Sequence, residues 1–249
     1  MTRTTKRILW IGVIIALAFF AYSFFGSKGK ISLASPLDET VVYLDNVKYR
    51  TLDAGETLNM TVDAGTHNIL VSKEGYFPWI KEISVLEEET LYLSPFMLRV
   101  NPIGELITEA DPEHDKIESL VRSSGLPIRE SRRKSSEAHI EIWATGNAIY
   151  ASWAGKIEDA PSYFCTATPC DPTLEVFQGA EAIDNLDFYK EREDVIIFSA
   201  GTGIFAIETD PRGTKNFQPI YTGTRPRFHK QSTDTLYVLD GEDLSQITI

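Results

Sequence analysis

The chain has 249 residues, of which 24 are basic and 36 acidic, for a formal net charge of −12. Residues 1–30 hold five bases and no acid, so residues 31–249 carry 36 acidic against 19 basic side chains, a net charge near −17. Such a body repels phosphate and anionic lipid headgroups, which makes nucleic acid a poor partner; the charge suits a cation or a basic protein face, or, more simply, maintains solubility.

Residues 8–25 are 18 consecutive residues without a charge. At ~1.5 Å per residue a helix of that length spans roughly the hydrocarbon thickness of a bilayer. Arg3, Lys6 and Arg7 precede the run, and Trp10 and Tyr22 lie near its ends. The pattern predicts a cytoplasmic tail over 1–7 and a transmembrane anchor over 8–25, with the rest of the chain outside the cytoplasm. The alternative is a cleaved signal peptide, whose apolar region normally runs only ~7–15 residues.

After a short polar linker, β-like runs begin. Alternation and turn residues predict strands near 31–36, 40–47, 57–62, 66–73, 79–85 and 89–93, with an Asp45-Asn46 turn and another at Asp63-Ala64-Gly65. In the fifth run Trp79, Lys81, Ile83 and Val85 fall on one side. Six or seven short strands at steady spacing predict a small antiparallel β-sandwich over 30–97. Gly65-x-His67-x-Ile69-x-Val71-x-Lys73-x-Gly75-Tyr76, together with Val42-Tyr43-Leu44-Asp45-Asn46, resembles a PEGA domain. Two positions depart from that pattern. Asn46 stands where Gly is usual, and Tyr49-Arg50-Thr51-Leu52 replaces a Gly-x-Thr-Pro segment. The resemblance implies a small extracytoplasmic β-sandwich of surface-attached or envelope proteins, without catalysis. His67 starts a strand after a Gly turn and reads as structural. Tyr76, Phe77 and Trp79 are the candidate binding surface; the alternative packs two of the three in the core and exposes one.

Residues 95–137 are less regular. A turn or helix start is expected at 111–115, a helical turn or a strand at 117–121, and a basic loop around Arg132, Arg133 and Lys134. Asp111, Glu113, His114 and Asp115 are metal-ligand types, but their spacing fits no known metal-binding loop.

Three later segments, 140–151, 195–206 and 235–246, align on Gly146, Gly201 and Gly241. Each reads as strand, Gly turn, strand. Segments 174–177 and 219–221 are expected as outer strands, and 187–189 and 227–229 as inner ones. The repeats resemble β-propeller blades and predict a propeller-like or β-rich domain over 98–249, with an incomplete ring of three or four units; a sandwich of the same hairpins is the alternative. Open strand edges there favour self-association. Gly201-Thr202-Gly203 reads as a hairpin turn, because no helix follows it. Glu191, Glu193 and Asp194 read as a solvated turn.

Cys165 and Cys170 are the two cysteines. Outside the cytoplasm a close pair reads as a disulfide closing a small loop; free thiols and a metal site are the alternatives, and no His lies near in sequence.

The fold class expected is therefore all-β behind one N-terminal helix. No catalytic, cofactor-binding or metal-binding residue is expected: the chain lacks Gly-x-Ser-x-Gly, His-Glu-x-x-His and Walker patterns. The expected function is a membrane-anchored, non-catalytic module that recognises an envelope protein or glycan. An envelope-polymer hydrolase using carboxylates of the C-terminal β domain is the alternative, and a signalling receptor working through a membrane partner is a third reading.

Overall fold

A computed structural model describes residues 27–125, 132–137, 139–165 and 170–249. The expected anchor over 8–25 lies outside the described residues. Among them, no helix is long and apolar enough to cross a membrane.

The first seven strands are β1 (Lys28–Ala34), β2 (Thr40–Leu44), β3 (Val47–Leu52), β4 (Thr57–Asp63), β5 (Gly65–Ser72), β6 (Trp79–Val85) and β7 (Thr90–Leu93). They make two sheets, ordered β4-β1-β7 and β3-β2-β5-β6. Alternation builds the core between them. In β4, Leu58, Met60 and Val62 are buried while Thr57, Asn59 and Thr61 face water. The sandwich was expected to be antiparallel, but β1 and β7 pair in parallel, with Ile31 opposite Leu91. A period of two fixes which side chains face inward and says nothing about strand direction, so the sequence pattern does not reveal this pairing.

The β2–β3 turn places two non-glycine residues at positive φ, Asp45 at 50° and Asn46 at 66°. This is the two-residue geometry of a hairpin turn, and Asn and Asp tolerate it. Asp45 is then locked from behind. Its Oδ1 accepts from the Asn68 amide at 2.9 Å, and its Oδ2 lies 2.8 Å from His67 Nδ1. His67 Nε2 donates to the Asp63 carbonyl at 2.8 Å, so the imidazole ties two turns together, a structural role. The segment replacing Gly-x-Thr-Pro is not a turn: Tyr49, Arg50, Thr51 and Leu52 continue β3.

The remaining strands form three consecutive four-stranded sheets. The first holds β9 (Arg133–Lys134), β10 (Ile140–Thr145), β11 (Ala148–Trp153) and β12 (Thr173–Gln178). The second holds β13 (Ile183–Phe188), β14 (Val195–Ala200), β15 (Gly203–Glu208) and β16 (Phe217–Thr222). The third joins β17 (Arg227–Lys230), β18 (Thr235–Asp240) and β19 (Asp243–Thr248) to β8 (Ile103–Ile107). The three expected Gly hairpins are β10–β11, β14–β15 and β18–β19, turning at Gly146, Gly201 and Gly241, all at positive φ. The strands expected to flank them are β12, β13, β16 and β17. None of these sheets closes into a barrel. β8 went unrecognised in the irregular middle segment, since both faces of its first four residues are exposed and no alternation marks it. The helix start expected there is real: α1 (His114–Ser123) packs Ile117 and Val121 against Tyr237, Leu239 and Leu244.

The two parts share one hydrophobic core. It runs from Ile31, Leu33 and Trp79 through the linker residues Phe96, Met97 and Leu98 to Val195, Ile197, Phe228 and Val238. At the seam, side-chain amides of the second sheet take the place of a neighbouring strand. Asn216 Oδ1 accepts from the Ile80 amide at 2.8 Å and its Nδ2 donates to the Ile80 carbonyl at 3.0 Å. Gln218 Oε1 accepts from the Leu98 amide at 2.9 Å. Gly213, at φ +61°, packs so closely on β6 that an added Cβ would lie 1.5 Å from the Glu82 carbonyl oxygen.

Two predictions follow from these joints. Gly213→Ala forces β6 and the 211–214 segment apart, so calorimetry should show two melting transitions where the parent shows one. His67 is the second. Partial burial pulls its pKa down, but the Asp63 carbonyl and the Asp45 carboxylate outweigh this and hold it above the ordinary histidine value. A raised folded-state pKa adds stability that is fully present below the unfolded value and is lost as pH rises through the folded one. The melting-temperature gap between the parent and Asp45→Asn should therefore be wider at about pH 6 than at about pH 8.5, and the NMR-titrated His67 pKa should fall in the variant.

Candidate functional site

The junction of the two parts carries the densest polar chemistry among the described residues. Strand β6 alternates as expected, with Trp79, Lys81, Ile83 and Val85 all inward. Lys81 is thus a fully buried cation, at 0% exposure. A buried ammonium needs a counter-charge and full hydrogen bonding. Glu208, at the buried end of β15, supplies the charge: Lys81 Nζ donates to its Oε1 at 2.6 Å and lies 3.7 Å from Asp210 Oδ2. Glu208 also accepts from the Asn216 amide at 2.9 Å, from Asn216 Nδ2 at 3.1 Å and from Trp79 Nε1 at 3.2 Å. Burial pushes the Glu208 carboxyl up, while Lys81 and Asn216 pull against it.

Above this network a cleft of about 290 Å³ opens between β7 and the second part. One wall is the run 89–94; the other is built from Pro161, Ser162, Tyr163, Asp194, Asp210 and Arg212. A second hollow of about 520 Å³ shares Ser94, Pro161, Tyr163 and Asp194 with it. Arg212 grips Asp210, with Nε 2.9 Å from Oδ1 and Nη2 2.9 Å from Oδ2, and lies 5.4 Å from the centroid of the Tyr163 ring. Burial pushes the Tyr163 phenol up to about 12, so it stays protonated. Arg192 grips Asp194 at 2.8 and 2.6 Å and donates to the carbonyls of Ser94 and Pro95. The buried and half-buried carboxylates here are already engaged by the chain's own cations. Such a site can present hydrogen bonds, charge and aromatic surface to a ligand.

The aromatic residues expected as a binding surface do not form one. Trp79 is 1% exposed, under the cleft. Tyr76 and Phe77 are half-buried against the shared core. The reason is the linker, which runs over them: the Phe77 amide donates to the Leu98 carbonyl at 2.8 Å, and Tyr76 bridges to Arg99. Tyr92 is exposed beside the cleft instead, at 74%. Glu193 and Asp194 are not a solvated turn. Asp194 pairs with Arg192, and Glu193 accepts from Ser135. Glu137, His139 and Glu193 offer ligand atoms within 4.8 Å of one another, but the His139 ring is stacked on Trp153 at 5.3 Å. Cys165 and Cys170 form the expected disulfide, next to the 161–163 wall. Glu208, Asp210, Arg212 and Asn216 were not singled out in the sequence. The one signal that pointed to them was Lys81, a charge at an inward strand position, which requires a partner.

Removing one member of this network leaves a buried charge uncompensated, a loss of about 3–5 kcal/mol. Lys81→Met should lose that much in chemical denaturation, and Lys81→Met/Glu208→Gln should regain part of it, because the uncompensated charge is gone and the amide oxygen still accepts from Asn216, while the Trp79 hydrogen bond is lost.

Residues 29–97 match the PEGA domain family, which covers β1 to β7 and the linker as far as Met97. No curated protein matches the chain. Among solved structures, a suggested membrane-associated protein of unknown function from Bacteroides fragilis aligns over 90% of this chain and 99% of its own, at 8% identity and a TM-score of 0.22, a likeness too slight to transfer fold or function.

Proposed function

We propose that the chain is a membrane-tethered, extracytoplasmic, non-catalytic module of the cell envelope that binds a protein or glycan in the cleft between its PEGA segment and its C-terminal sheets. The observation that carries this reading is the cleft itself: its two walls are held by the Lys81–Glu208 clasp and the shared core, so it is pre-organised, and preorganisation is what a binding site needs. The apolar run at 8–25 and the PEGA match support a tethered module outside the cytoplasm. The engaged carboxylates support a binding role over hydrolysis, since Glu208 accepts four hydrogen bonds and Asp194 and Asp210 each face an arginine. In the same reading the three C-terminal sheets are blade-like units of an incomplete ring. The successive order of the sheets and the closure of the last one by β8 support that arrangement.

A photo-cross-linking residue at Tyr92, in intact cells, should yield a defined product with an envelope component, whereas the same residue at Lys116 on α1 should not. The purified full chain should release nothing from isolated envelope polymer. Hydrolysis of that polymer, abolished by Glu208→Gln, would overturn the non-catalytic reading.

A further inference from the structure

The β-sandwich has four edge strands, β4, β7, β3 and β6, and β7 is the open edge whose whole length borders the cleft. In the second sheet, Asn216 caps β6 by bonding both main-chain groups of Ile80. Strand β3 is open but carries Lys48 and Arg50, the kind of charge that blunts an edge against pairing. Strand β7 reads Thr90-Leu91-Tyr92-Leu93, with no charge and no proline.

The hydrogen-bonding direction along β7 follows from its pairing with β1. The Lys30 amide donates to the Glu89 carbonyl, so residues 89, 91 and 93 turn their main-chain groups toward β1. The alternate residues, Thr90 and Tyr92, turn theirs away, toward the cleft. Among the described residues no hydrogen bond reaches the main chain of Thr90 or Tyr92 from that side. Immediately beyond, the Arg192 guanidinium donates to the carbonyls of Ser94 and Pro95, which closes that end of the edge. Glu89, Asp194, Glu208 and Asp210 line the groove opposite; Asp194, Glu208 and Asp210 are paired with Arg192, Lys81 and Arg212, and Glu89 makes no ion pair among the described residues. The groove also belongs to a body with a net charge near −17.

We infer that the free edge of β7 is a strand-addition site, which takes an extended, basic peptide segment of a partner protein as a further strand of the β4-β1-β7 sheet. Main-chain bonds to Thr90 and Tyr92 hold the added segment, and Glu89, within the field of the strongly acidic body, selects its basic side chains. This rests on reading the cleft as a binding site and names its mode and ligand class.

The test uses the detergent-solubilised full chain and three fluorescent decapeptides: an alternating Lys-Val peptide, its Glu-Val counterpart, and the Lys-Val peptide N-methylated at four consecutive central amides. The Lys-Val peptide should bind saturably. Methylation, which removes main-chain donors and keeps the charge, should weaken binding at least tenfold, and so should the acidic sequence. Tyr92→Pro deletes the outward N–H at a position where an edge strand tolerates proline, and should weaken binding at least tenfold. Lys116→Ala, on α1 away from the cleft, should bind like the parent. No binding of the Lys-Val peptide would overturn the inference. So would equal binding of its methylated form, which would mean charge attraction alone, and so would a Tyr92→Pro variant that binds fully. A concentration-dependent dimer abolished by Tyr92→Pro would give the edge to a second copy, and displacement of the peptide by purified envelope glycan would give the groove to a sugar; either overturns it. A Tyr92 cross-link to glycan without peptide binding removes only this mode and leaves the binding module standing, whereas absence of both removes the two together.

Discussion

A lysine buried in the middle of an inward-facing strand row is the constraint on which the structure turns. Lys81 sits between Trp79 and Ile83 in the sandwich, yet its counter-charge lies far along the chain, on β15. Neither part can bury its own half alone, because an isolated ammonium or carboxylate in an apolar interior is prohibitively unstable. The pair therefore acts as a registration device. It is satisfied only when the second sheet docks on β6 in one position, with Asn216 against Ile80 and Gly213 against Glu82. A wholly apolar seam of the same area would tolerate sliding.

That docking explains how the sandwich treats its edges. An open β-edge invites any passing strand, and this fold answers with different groups at different places. Side-chain amides cover β6, an arginine covers the end of β7, and basic residues mark β3. Measured against that pattern, the uncapped centre of β7 stands out as an opening left inside a walled groove. The Cys165–Cys170 disulfide follows the Pro161–Tyr163 wall in the chain.

Much of the β architecture was legible because alternation and glycine turns are local signals. Six of the seven sandwich strands fall where alternation places them, β3 being the exception, and the three Gly hairpins lie where the aligned segments put them. His67 reads as structural because it follows a glycine turn, and its bonds to Asp45 and Asp63 fit that role. What stayed hidden depends on distance in sequence. The parallel β1–β7 pair, β8 as the fourth strand of the last sheet, and the partners of Lys81 are all set by residues with no local mark. The same holds for Tyr76 and Phe77. Their aromatic character suggested a surface, but the linker over them was not readable from their own stretch. The site was legible at one residue only, the misplaced charge at 81.

The closure of the last sheet by β8 has a bearing on biogenesis. Ile103 pairs with Thr248, so the third sheet joins neighbouring strands from opposite ends of the C-terminal part. A chain that emerges N-terminus first delivers β8 early and β19 late. The sandwich can fold as it appears, but it must then wait for β15 and β16 to reach its buried lysine. Contacts this distant in sequence make for slow assembly and a long-lived, partly exposed intermediate. A protein built this way is vulnerable while it is being made, when proteases and idle strands meet an unfinished sheet.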